Sequence, residues 1–137
     1  MSTHPYLRAY MAGITIPTIF LLFVMSFFVV VRYVYDLPVP IERIIVFPMA
    51  MVPNLWGLWN IFYASLHSHR RLPIGFHGAL LPFVQLAGAF VLTRLLHFDI
   101  PAFAATALPI GFPIVVVVFY LLWKHLVSFF NALLGIA

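Results

Sequence analysis

Cysteine is absent from the 137 residues, which excludes disulfides, thiolate metal sites and cysteine nucleophiles. Acids are nearly absent too: Asp36, Glu42 and Asp99 are the whole set. None of them lies inside a long apolar run, so a carrier driven through an intramembrane carboxylate is disfavoured. An intramembrane aspartyl protease, which needs two buried aspartates, is excluded. No glycine-rich phosphate loop of the P-loop type occurs. Ser26, Ser65 and Ser128 have neither a G-x-S-x-G setting nor a histidine–acid partnership. With no catalytic constellation present, an enzyme is not the expectation. Polar–apolar alternation is also missing from runs such as 27–31 and 115–119, which argues against a transmembrane β-barrel.

What the chain does contain is apolar surface. Hydrophobic residues make up 65% and charged residues only 7%, with a mean hydropathy of +1.13; ordinary soluble domains are about half apolar. Residues 9–31, 44–66 and 100–123 carry no charge and no histidine, and 73–93 is interrupted only by His77. Runs of about 21–24 residues cross a hydrocarbon core of roughly 30 Å as helices at about 1.5 Å per residue. The expectation is an all-α membrane protein of four transmembrane helices. Their approximate limits are 9–32, 43–66, 74–96 and 103–126, in a single transmembrane domain with 127–137 as an interfacial tail. The first run stops at Arg32 without a small-residue cleavage site and reads as a signal anchor.

Short connections rich in turn formers, at 36–40, 67–73 and 97–101, imply an up-down antiparallel bundle. Arg8, Arg70, Arg71 and Lys124 then share one side, and Arg32, Arg43 and Arg94 the other, together with all three acids. The uncompensated positive face is expected to be cytoplasmic, with both termini on it, in a bacterial inner (plasma) membrane. The pI near 9.9 points to anionic lipid headgroups at Arg70 and Arg71. Nucleic acid is not expected, because the basic residues form no continuous patch. Pro109 and Pro113 suit the first turn of a helix better than its interior. Lys124 is expected at the membrane boundary; a fourth helix starting at Pro113 would instead place it near mid-membrane.

Polar residues inside the spans supply the site candidates. Trp56, Asn60, Tyr63 and His67 recur at spacings of four, three and four, on one helical face, beside a kink expected at Pro53. Gln85 lies eight residues after His77 on the same face. Trp56, Asn60, Tyr63 and Gln85 thus outline a polar crevice, and an amide hydrogen bond between Asn60 and Gln85 is expected. Tyr120, Lys124, Ser128 and Asn131 form a stripe read as an interfacial belt. The first span is nearly featureless, its phenylalanines facing lipid or a partner. The pentapeptide LPIGF, at 72–76 and 108–112, is read as coincidence.

Histidines cluster at 67–77, in LHSHRRLPIGFH. A tetrapyrrole such as haem, or a quinone, would use His67, His77 or His125; absence of any cofactor is the favoured reading. A bare metal is disfavoured, because Arg70 and Arg71 would repel it and no carboxylate is near. The stretch LWNIFYASLHSHRRLPIGFHG resembles, over about twenty residues, the membrane-anchor subunits of fumarate reductase and succinate dehydrogenase. That resemblance implies quinone binding and, in many members, haem b. The usual nearby acid is missing, and four spans differ from the three of paired anchors. The resulting expectation is a small polytopic protein serving as a structural or accessory subunit of a larger, possibly energy-transducing, membrane complex, through other subunits or self-association. A haem- or quinone-binding anchor of a redox complex, or a small oligomeric channel or carrier, is the alternative.

Overall fold

The computed structural model describes residues 4–39, 41, 50–66, 72–97, 99–100 and 102–136. Among these, the regular structure is helical and no strand occurs. The helices are α1 (Pro5–Val34), α2 (Ala50–Ser65), α3 (Ile74–Leu95), α4 (Ala104–Leu122) and α5 (Ser128–Leu133), the last two joined by a π-helical turn at Trp123–Val127. Three continuous helices, Pro5–Val34, Ile74–Leu95 and Ala104–Leu133, are long and apolar enough to cross a membrane. The expected second span is described only as α2, 16 residues long; its portion at 43–49 lies outside the described residues.

The chain divides into two compact units, Met1–Ser65 with Phe130–Ala137, and Leu66–Phe129. In the first, α1 opens with Pro5 at its first turn, where a missing N–H leaves no hydrogen bond unmade. Ala9, Gly13, Pro17 and Leu21 are all buried. Their four-residue spacing lays them along one face, and small side chains there let backbones approach. A Cβ on Gly13 would lie 2.6 Å from the Trp56 carbonyl oxygen and 2.9 Å from the Gly57 Cα. Gly57 in turn seats the Tyr10 ring and Ile14. Ala9 meets Asn60, and Leu21 shares a groove with Ala50, so α1 and α2 run antiparallel. The outer face of α1 stays apolar and open, with Phe20, Phe23 and Phe27 exposed.

α5 ends in the same unit through a Schellman motif. Gly135 adopts φ 76°, the left-handed conformation that glycine takes without a Cβ penalty. The Gly135 N–H donates to the Ala132 carbonyl (3.2 Å) and the Ile136 N–H to the Asn131 carbonyl (2.7 Å). These two bonds satisfy helix-end carbonyls that would otherwise lack a partner. Ile136 is buried beside them.

In the second unit, Gly75 of α3 lies under the Tyr120 ring, and a Cβ there would come within 2.7 Å of it. Gly78 lies under Trp123 so closely that a Cβ would overlap the indole stem. Phe83 meets Phe112 edge-on at 5.0 Å and 83°. Gly75 with Tyr120 and Phe83 with Phe112 set α3 antiparallel to α4.

Two features of the fourth span have physical causes. Pro109 and Pro113 lie inside α4, which begins at Ala104. A membrane helix tolerates the lost N–H because side chains and local adjustment satisfy the freed carbonyls. The helix also passes Lys124 and runs to Leu133, so residues 127–133 of the expected interfacial tail are helical. The π-turn buries Trp123 and Val127 and leaves Lys124 and His125 exposed. Lys124 Nζ lies 5.7 Å from the Tyr120 ring centroid, a cation–π distance.

Candidate functional site

The Trp56–Asn60 face of α2 is turned inward, as its spacing implies. Trp56 is 3% and Asn60 0% exposed, and Tyr63 is half-buried. Asn60 is held by three bonds within its own unit. Its Nδ2 donates to the Ala9 carbonyl at 2.6 Å and to Asn131 Oδ1 at 2.7 Å. Asn131 Nδ2 donates back to Asn60 Oδ1 at 3.1 Å. Both N–H groups of Asn60 and its oxygen are therefore used. The partner is Asn131 in place of the expected Gln85. Gln85 is half-buried, and its Nε2 is enclosed with no hydrogen-bond partner among the described residues.

The histidine candidates separate. His77 is 2% exposed and meets Trp123 edge-on at 5.8 Å, flanked by Gly75 and Gly78. His125 is exposed on the π-turn. His67, Arg70 and Arg71 lie outside the described residues. Among the described residues, no group of three or more histidine, cysteine or acidic side chains is placed to hold a metal ion. At 2% exposure, His77 is open to a tetrapyrrole iron only if the residues that bury it, Trp123 among them, rearrange.

Sequence reasoning passed over a second polar group. The Tyr10 hydroxyl donates to Asn54 Oδ1, and Asn54 Nδ2 donates to the Ala50 carbonyl at 2.6 Å. Tyr10 lies in the span read as featureless. Its signal was available in the recurrence of 10, 14, 18 and 21 on one face of α1, opposite Pro53 and Asn54.

No protein family, curated protein or solved structure matches the chain.

Proposed function

We propose that this protein is a helical subunit that packs within a larger membrane assembly, crossing the membrane four times with both termini cytoplasmic. The observation that carries this reading is α4, none of whose nineteen residues from Ala104 to Leu122 is buried. Ile110, Ile114, Val117 and Leu121 are all exposed along it. Gly111 has nothing within 4 Å of where a Cβ would stand, and Ala107 precedes it by four residues. In a bilayer, apolar side chains gain little by leaving lipid for protein, so helices associate where small residues permit close approach. The Ala107–Gly111 notch is such a place. Asn60 meanwhile serves helix packing through Asn131 and the Ala9 carbonyl, which leaves the Trp56–Asn60 face little to offer a ligand or a pore.

Purification of the tagged chain from its native membrane tests the proposal. The expected result is a native mass well above one 15.6 kDa chain, with membrane proteins in fixed stoichiometry. A monodisperse monomer in mild detergent would overturn it, and a homo-oligomer that conducts ions would favour the channel reading.

Because His77 is buried at 2% exposure, haem supplementation during expression is expected to leave the purified protein without a Soret band. A band that disappears in His77→Leu but survives in His125→Leu would instead establish the redox-anchor reading.

A further inference from the structure

Between α1 and α2, within the first unit, lies a groove of about 290 Å³ whose lining includes Tyr10, Ile14, Thr18, Leu21, Pro53 and Asn54. Thr18 is thirteen residues into α1, roughly 20 Å along its axis at about 1.5 Å per residue, and so lies at hydrocarbon depth in a helix of this length. At that depth no water is available to satisfy polar groups. Five other serine and threonine hydroxyls bond back to their own helix: Thr15 to Met11, Ser26 to Leu22, Ser65 to Phe62, Thr93 to Phe90 and Ser128 to Lys124; Thr106, in the first turn of α4, does not. Thr18 makes no such bond among the described residues, and it lines this groove as well as a neighbouring one with Met11 and Phe130.

Counting donors and acceptors defines what would fit. Tyr10 has given its proton to Asn54 Oδ1, so its phenolic oxygen remains as an acceptor. Asn54 has used one N–H on the Ala50 carbonyl, so a second N–H remains as a donor. Thr18 offers either role. Among the described residues no charged side chain lines the groove, which disfavours ions of both signs there. A carbonyl ligand would leave the Tyr10 oxygen unmatched, whereas a hydroxyl both accepts and donates. About 290 Å³ is roughly twice the ~150 Å³ cavity that holds benzene, enough for one ring or a branched chain segment.

We propose that this groove binds an uncharged lipophilic alcohol from the bilayer. Its hydroxyl sits among Thr18, Tyr10 and Asn54, and its apolar body lies along Ile14, Leu21 and Pro53. The inference stands independently of the subunit reading.

The test is photolabelling of the full chain in saturated phosphatidylcholine nanodiscs with a diazirine analogue of farnesol. Saturable labelling within residues 10–21 and 50–54 is expected, displaced by farnesol and about tenfold less well by its methyl ether, which lacks the donor. Thr18→Val, which keeps the side-chain shape, is expected to weaken labelling about tenfold with helicity unchanged. Ala50→Phe, at the exposed rim, is expected to fill the groove and abolish labelling. A sterol displacing the probe better than farnesol would keep the site and assign it to a ring. Three outcomes would overturn the proposal: unsaturable labelling, undiminished labelling of Thr18→Val, or displacement by dodecane as effective as by farnesol, which would mean that the groove holds an acyl chain.

Discussion

Replacing Gly13 by alanine is expected to loosen the α1–α2 pair by about 1–3 kcal/mol, the range for overpacking a close interface. The added carbon would meet the Trp56 carbonyl oxygen at 2.6 Å and the Gly57 Cα at 2.9 Å. Both are backbone atoms of a helix, so neither can swing aside as a side-chain tip would, and the two helices must separate instead. That separation also weakens the Asn60–Ala9 bond (2.6 Å), which spans the same contact. Unfolding in mixed dodecyl maltoside and SDS, followed by tryptophan fluorescence, measures the effect. Gly88→Ala serves as the control, because nothing lies within 4 Å of a Cβ there. At that position the gain in helix propensity should dominate and stabilise by up to about 1 kcal/mol. Equal losses at both positions would mean that Gly13 is no close-packing point.

That contrast shows which parts of the architecture can be read from sequence. Helices and their approximate limits follow from hydropathy, because backbone groups in lipid must bond within their own segment. The inward face of α2 follows from the spacing of Trp56 and Asn60. Small residues at 9 and 13 carried the same kind of information for α1. Against so uniform an apolar background, they drew less attention than the surrounding phenylalanines, which now prove exposed at 20, 23 and 27. Hydropathy, which set the fourth span to begin near 103, outweighs the proline rule that would start it at Pro113, since lipid leaves a chain few alternatives to remaining helical. The π-turn at Trp123–Val127 has no local proline or glycine to mark it; it coincides with the seating of Trp123 on Gly78. Partner choice was the least legible property. Asn60 and Asn131 are 71 residues apart, and no periodicity within either helix selects one amide over another.

The amide pair itself makes the second large prediction. Asn60→Leu, close to isosteric, removes three hydrogen bonds and leaves the Asn131 amide buried without its partner, while the Ala9 carbonyl keeps its bond within α1. An unsatisfied buried polar group costs about 1–3 kcal/mol, so a loss in that range is expected. Asn131→Leu removes only the two reciprocal bonds and leaves Asn60 still donating to Ala9, so its loss should be smaller. If the amides act as one unit, the double variant should be little worse than Asn60→Leu alone, because its second substitution removes a group already orphaned. The coupling energy should then fall near the membrane-protein range of about 0.6–1.7 kcal/mol. Strictly additive losses in the same detergent unfolding assay would show the two amides to be independent, and Phe130–Ala137 would then owe its place to packing alone. A measurable coupling would instead make the Asn60–Asn131 bond the polar contact that fastens the end of the chain to α1 and α2.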